Sequence, residues 1–274
     1  MKIFKAERLS SFEIPYIRDA QIDVYPLIRC DAGDEEIVCV SPVHGRSFVL
    51  SHNSNGRWIV GKGNGLSYTS HPFILTSSVN GETWGGLSLD SAVRDFNVGN
   101  QVRELGIKTN IMDCVIALDM PIIVNGESRQ SALLQYSVEC PYRISDFGFI
   151  PKDELKCYLD KWYSAYNELH MYAARVLIQN LRTLHDNNIM HNAMHPQNYT
   201  WALELVDFEA SRSDKYPYDN ADYEACVPML IEAEVIQVYD IINYVAWCLG
   251  EQTNYRKVEE LFNEYGFKLN HLSH

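Results

Sequence analysis

The sequence predicts an α+β protein with a β-rich N-terminal half and a helical C-terminal half. Three observations carry this. Short runs rich in β-branched and aromatic residues recur through residues 1–139. Two Asn-Gly dipeptides, Asn55-Gly56 and Asn125-Gly126, each separate two apolar runs, which is the strongest short-range hairpin signal. From residue 153 onward the apolar residues recur at the three-and-four spacing of helices.

Taken in order, Glu36-Ile-Val-Cys-Val-Ser41 and Ser47-Phe-Val-Leu-Ser51 read as strands. Asn55-Gly56, between Phe48-Val-Leu50 and Arg57-Trp-Ile-Val60, predicts a type I′ hairpin. Ser88 to Leu105 predicts a helix, because Leu89, Ala92, Val93, Phe96, Val102 and Leu105 share one face. Gly106 follows as its C-cap. Asn125-Gly126 joins the run Cys114 to Val124 to Ala132-Leu-Leu-Gln-Tyr136 in a second hairpin.

In the second half, Asp153 to Tyr166 and Glu168 to His185 are the first two helices. The latter has Leu169, Tyr172, Ala173, Val176, Leu177, Leu181 and Leu184 in register. Asp222 to Leu249 holds one or two more, with an interruption expected at Pro228. The pattern changes near Glu139 to Tyr142, so the chain is expected to form two lobes, 1–139 and 140–274, with a hinge there.

The formal net charge of -13 over 274 residues argues against a nucleic-acid backbone or an anionic membrane as the main partner. A local basic pocket for a nucleotide is compatible with it. Met1-Lys-Ile-Phe-Lys-Ala-Glu7 has no apolar core of a signal peptide, and no run reaches the length of a membrane span. A cytoplasmic protein is expected, and an exported effector without a classical signal peptide would show the same pattern. The cysteines (Cys30, Cys39, Cys114, Cys140, Cys157, Cys226 and Cys248) are odd in number and never spaced Cys-x-x-Cys. They are expected to be reduced thiols, mostly in the core.

Candidate chemistry gathers in two places. Lys62 ends the strand-like run Arg57 to Lys62 and is followed by Gly63-Asn-Gly65. A lysine there reaches phosphate oxygens while Gly63 and Gly65 let the backbone approach a nucleotide closely. Gly56-x-x-x-x-Gly61-Lys62 has P-loop spacing, but Gly63 replaces the Ser or Thr hydroxyl, and Trp58-Ile-Val60 is strand-like. The second place is His191-Asn-Ala-Met-His-Pro-Gln-Asn198, followed by Asp207-Phe-Glu209. Asn198 and Asp207, across a short strand pair, can place two oxygen ligands on one Mg²⁺, which then holds the phosphates of ATP. His191 and His195 have the spacing of helical zinc ligands, but the zinc-protease Glu is missing and Pro196 opposes a helix. His191 is expected to brace the loop and His195 to face the phosphates. No Ser/His/Asp constellation stands out.

This loop, after a long helix and a β-rich half, resembles the catalytic loop and metal-binding turn of protein-kinase-like folds. It is similar to the His-Gly-Asp-x-His-Pro-x-Asn loop of the aminoglycoside and choline kinases. The closer resemblance is to the selenoprotein O family, kinase-like proteins that transfer AMP from ATP to protein hydroxyls. Segments matching in order cover residues 40–212. Ser41-Pro-Val-His-Gly-Arg46, Lys62-Gly-Asn-Gly65, Ser91-Ala-Val-Arg-Asp95-Phe96, Leu105-Gly-Ile-Lys-Thr109, Asp146-Phe-Gly-Phe149 and the loop from His191 through Asn198 to Asp207 carry it.

The resemblance implies a two-lobed protein-kinase-like fold that binds ATP with Mg²⁺ or Mn²⁺ in its cleft. Lys62 would contact phosphates, Asp95 would pair with Lys62, and Asn198 and Asp207 would hold the metal. The chain departs from both patterns. Ala193 stands where a kinase has its catalytic Asp, Gln197 where selenoprotein O has its proposed base, and Asp146 where that family has an ATP-binding Arg. Arg143 is the candidate to compensate, and Gln197 or His195 the group nearest an attacking hydroxyl. The leading expectation is transfer of AMP, or a phosphoryl group, to a protein hydroxyl. A catalytically inactive pseudokinase that binds a partner through its acidic surface is a second reading, favoured by Ala193 and Gln197. A small-molecule phosphotransferase is a third.

Overall fold

The computed structural model describes residues 2–5, 36–39, 47–63, 86–163 and 168–269. Gly65, Ser41 to Arg46 and the last five residues lie outside this set. The chain is α+β, and its residues group into two compact units: 1–97 with 110–142, and 98–109 with 143–274.

The first unit is built on one antiparallel sheet of β1 (Lys2–Lys5), β2 (Glu36–Cys39), β3 (Ser47–His52), β4 (Trp58–Lys62), β5 (Ile111–Val124) and β6 (Glu127–Val138). The spatial order is β1-β2-β3-β4-β6-β5. β6 lies between β4 and β5, and its residues from Ser131 to Val138 are buried on both faces. β5 is an edge strand. It tolerates Pro121 because the register is irregular between Ala117 and Pro121, where no regular ladder bond is lost. Helix α1 (Leu89–Glu104) starts at Ser88, whose hydroxyl accepts from the Ser91 amide at 3.2 Å. It ends at Gly106, whose φ of 84° is a left-handed cap.

The two Asn-Gly hairpins differ. Asn125 (φ 52°) and Gly126 (φ 77°) form the two-residue turn between Val124 and Glu127, and both central residues have the positive φ of a type I′ turn. The first hairpin is not of that type. His52 pairs with Trp58 across a longer loop, only Gly56 has positive φ, and the Gly56 amide bonds back to the Asn53 carbonyl. The Asn53 side chain accepts from the Asn55 and Arg57 amides, and this Asx turn stabilises the wider loop.

The second unit is helical: α2 (Lys152–Tyr163), α3 (Leu169–Asp186), α4 (Ala221–Ala225), α5 (Val227–Leu249) and α6 (Tyr255–Glu264). α3 buries Leu169, Ala173, Leu177, Leu181 and Leu184, while Tyr172 and Val176 are only half-buried. Its first amides are capped by Glu251, whose carboxylate accepts from Leu169 and His170 at 3.0 and 2.9 Å. The stretch from 222 to 249 holds two helices, and the break expected at Pro228 falls at Cys226, just ahead of it. Pro228 itself sits in the first turn of α5, where its missing N–H and fixed φ are favourable. α6 was not expected. It buries Val258, Leu261 and Phe262 and is capped by the Asn254 side chain.

Cys140 and Cys248 are buried and Cys157 is exposed; all five described cysteine side chains are free thiols. Burial raises the Cys248 thiol to about 11, which keeps it protonated and inert. Among the described residues no helix is long and apolar enough to cross a membrane.

Candidate functional site

In the first unit, the end of β4 presents Lys62. Its Nζ donates to Asp95 Oδ2 on α1 at 2.7 Å, and the two side chains are 3% and 1% exposed. Gly63 follows with φ 89°, and a Cβ there would stand 2.7 Å from the Ala132 carbonyl oxygen and 2.8 Å from Leu87 Cβ. Glycine is therefore required at 63 by packing alone, whatever binds beside it. The register explains the crowding: Lys62 pairs with Leu134 on β6, and the Ala132 amide bonds to the Leu87 carbonyl at 2.8 Å.

In the second unit, the loop 191–198 is pinned from several sides. The His191 ring is buried and contacts the Val206 carbonyl through Nε2 at 3.0 Å. A carbonyl only accepts, so Nε2 carries the proton. The His191 ring also meets Phe208 edge-on at 5.1 Å, and Ser211 Oγ donates to the His191 carbonyl. α5 adds two acceptors: Glu234 Oε1 takes the Asn192 amide at 2.6 Å and Gln237 Oε1 takes the Met194 amide at 3.1 Å. Glu234 is 1% exposed and also bonds His185 Nε2 at 2.8 Å. One buried carboxylate thus ties α3, α5 and the loop together.

Sequence reasoning missed Glu234 and Gln237. The signal was present: Glu234 shares a helical face with the buried Val238, Ile241 and Val245, so a charge there has to find a buried partner.

The candidate metal ligands sit on a short ladder. Pro196–Asn198 form a single 3₁₀ turn, and the Val206 amide bonds to the Asn198 carbonyl at 3.0 Å, one residue before Asp207. Asn198 Nδ2 donates to the Ala193 carbonyl at 2.8 Å, which orients the amide and leaves Oδ1 as the face for a cation. Asp207 is half-buried and has φ 71°, a left-handed conformation uncommon outside glycine. Arg143 is 6% exposed and its backbone bridges to Thr200, two residues beyond Asn198. Asp146 accepts from the Arg143 amide at 2.7 Å and so has a local role in the 3₁₀ turn Ile144–Phe149.

His195 and Gln197 are exposed. His195 Nδ1 accepts from the Gln197 amide at 3.3 Å, and partial burial lowers the ring below its ordinary value. At neutral pH the imidazole is therefore neutral. Ala193 offers no carboxylate. Among the described residues no group of three or more His, Cys, Asp or Glu side chains forms a metal cluster. A Mg²⁺ on Asn198 and Asp207 would take its remaining oxygens from phosphate and water, as Mg²⁺ usually does.

The structure therefore brings Lys62 to Asp95 in the first unit. In the second it gathers Asn198, Asp207, Arg143, His195 and Gln197 on one braced loop and its neighbours. No protein-family model matches the chain, and no curated protein matches it.

Proposed function

We propose that the chain is an ATP- and Mg²⁺-dependent transferase of kinase-like fold, related to selenoprotein O, that moves AMP or a phosphoryl group to a hydroxyl on a protein. Lys62 contacts phosphate oxygens, Asp95 orients Lys62, and the backbone after Lys62 approaches the nucleotide. Asn198 and Asp207 hold the metal, and Arg143 supplies positive charge beside them.

The observation that carries this reading is the Lys62–Asp95 pair at 2.7 Å. Removing two charges from water is costly, and an apolar pair of similar size would hold β4 to α1 as well or better. A buried lysine at a strand end, paired with a carboxylate on the neighbouring helix, is on these grounds a candidate functional group. The lack of a carboxylate at Ala193 and Gln197 does not remove transfer, since positioning and charge neutralisation carry most of phosphoryl-type catalysis and a general base typically adds only about 10²–10⁴-fold. The same lack favours a second reading, a nucleotide-binding scaffold without transfer.

The test uses ATP labelled at the α- or the γ-phosphate, with Mg²⁺ or Mn²⁺, incubated with the protein and cell lysate. Label from the α position means AMP transfer. Label from γ alone means a kinase, of protein or small molecule according to which fraction carries it. No label from either, with ATP binding measured separately, leaves the scaffold reading. No ATP binding at all overturns both.

A further inference from the structure

The segment Asp146-Phe-Gly-Phe149 does more than cap its own turn. With α2 it borders a half-open cavity of about 650 Å³, lined by Phe147, Ile150, Leu155 and Leu159, with Lys152 and Lys156 beside them. That volume lies within the ~300–1,000 Å³ usual for small-molecule sites. We infer that this cavity binds a medium-chain aliphatic monocarboxylate, its tail on the apolar wall and its carboxylate at Lys152 and Lys156.

Four observations carry the assignment. The wall is aliphatic and aromatic, so the body of the ligand is apolar. Leu155, Leu159 and Ile150 are nearly buried, at 8–9% exposure, and contribute no hydrogen-bonding group. Lys152 and Lys156 stand one helical turn apart on α2 and are exposed. No ion pair or hydrogen bond engages either side chain among the described residues, although the protein carries a net charge of -13. Two uncommitted cations beside an apolar cavity match an anion with a greasy tail. Asp160, a further turn along the lining, opposes a second negative group, which selects a monocarboxylate over a dicarboxylate. Finally, Gly148 lines the cavity and is exposed, and a Cβ there would meet nothing within 4 Å, so the cavity opens to solvent at this glycine and a ligand can enter there. Nothing in this assignment depends on nucleotide binding.

The experiment is calorimetric titration of the full chain with octanoate, nonanoate and decanoate below their micelle concentrations, with decanol and decanedioate as controls. Tryptophan emission is followed in parallel, because the Phe147 ring lies 6.0 Å from Trp201 and 6.4 Å from Trp247. The expected result is one saturable site that tightens about fourfold per added methylene. Decanol and decanedioate bind about tenfold more weakly, as does decanoate to the Lys152→Glu/Lys156→Glu variant. Gly148→Leu sets a side chain at the mouth, where a Cβ meets nothing within 4 Å, and weakens binding while the melting temperature holds. Equal affinity for decanol and decanoate, affinity independent of chain length, or full binding by Gly148→Leu would each overturn the assignment.

Discussion

Lys62 and Asp95 are each other's partner: two full charges, both side chains almost wholly buried, 2.7 Å apart. The loop from His191 to Asn198 is held differently. Its braces are backbone groups, taken up by Glu234, Gln237 and the Asn198 amide, while His195, Gln197 and Asp207 keep part of their surface in solvent. The first arrangement centres on a buried pair of opposite charges. The second spreads its support over several contacts to backbone amides, the buried Glu234 carboxylate among them, and leaves the reactive atoms accessible. Removing a functional group should therefore unfold the first region and disarm the second.

The largest effect is expected at Lys62. Lys62→Met leaves Asp95 buried without its cation and should cost ~3–5 kcal/mol in denaturant unfolding. Lys62→Met with Asp95→Leu should recover most of that, because an apolar pair needs no desolvation. If the single variant were as mild as the double, the charge pair would not govern this region. Asp207→Asn probes the other side. Asn tolerates the left-handed backbone, so unfolding should change far less than for Lys62→Met. Mg²⁺-dependent ATP binding should fall by at least the ~100-fold typical of losing a partner that supports a metal site. Unchanged ATP binding removes the metal role from Asp207.

Glu234→Ala should fall between. It strips acceptors from the Asn192 amide and His185, at ~1–3 kcal/mol for a buried group left unsatisfied. Faster hydrogen exchange at the Asn192 amide is the direct readout. The smallest effect concerns Glu251. Burial alone would raise its pKa, but the His170 and Leu169 amides and the His170 ring outweigh that and hold it below the ordinary 4.5. A depressed carboxylate contributes stability above its unfolded pKa and loses it as pH falls through the folded one. The wild type should thus lose stability relative to Glu251→Gln below about pH 4.5. Parallel curves would show that the cap works without its charge.

Much of the fold was legible because the determinants are local. Ser88 and Gly106 mark the two ends of α1. The Asn125-Gly126 turn follows from dipeptide chemistry alone. α6 was equally legible, with Asn254 as cap, Val258, Leu261 and Phe262 in register and Gly266 after it, but its three apolar residues are few for a confident period. Asn55-Gly56 misled because Asn53, two residues earlier, competes for the same amides. At the site, the pairing of Lys62 with Asp95 was anticipated only through a resemblance, since their 33-residue separation follows no local rule. Glu234 was missed for the same reason: its partners lie 42 and 49 residues away.

The left-handed backbone at Asp207 has a consequence for how this position can change. Glu would keep the charge but pay for the conformation. Asn and Gly would keep the conformation and surrender the charge. The exchanges most often tolerated at an acidic position are thereby split, and none preserves both properties. In a library randomised at this codon, selection for folding alone should return Asp, Asn and Gly together. Selection for nucleotide binding should return Asp alone.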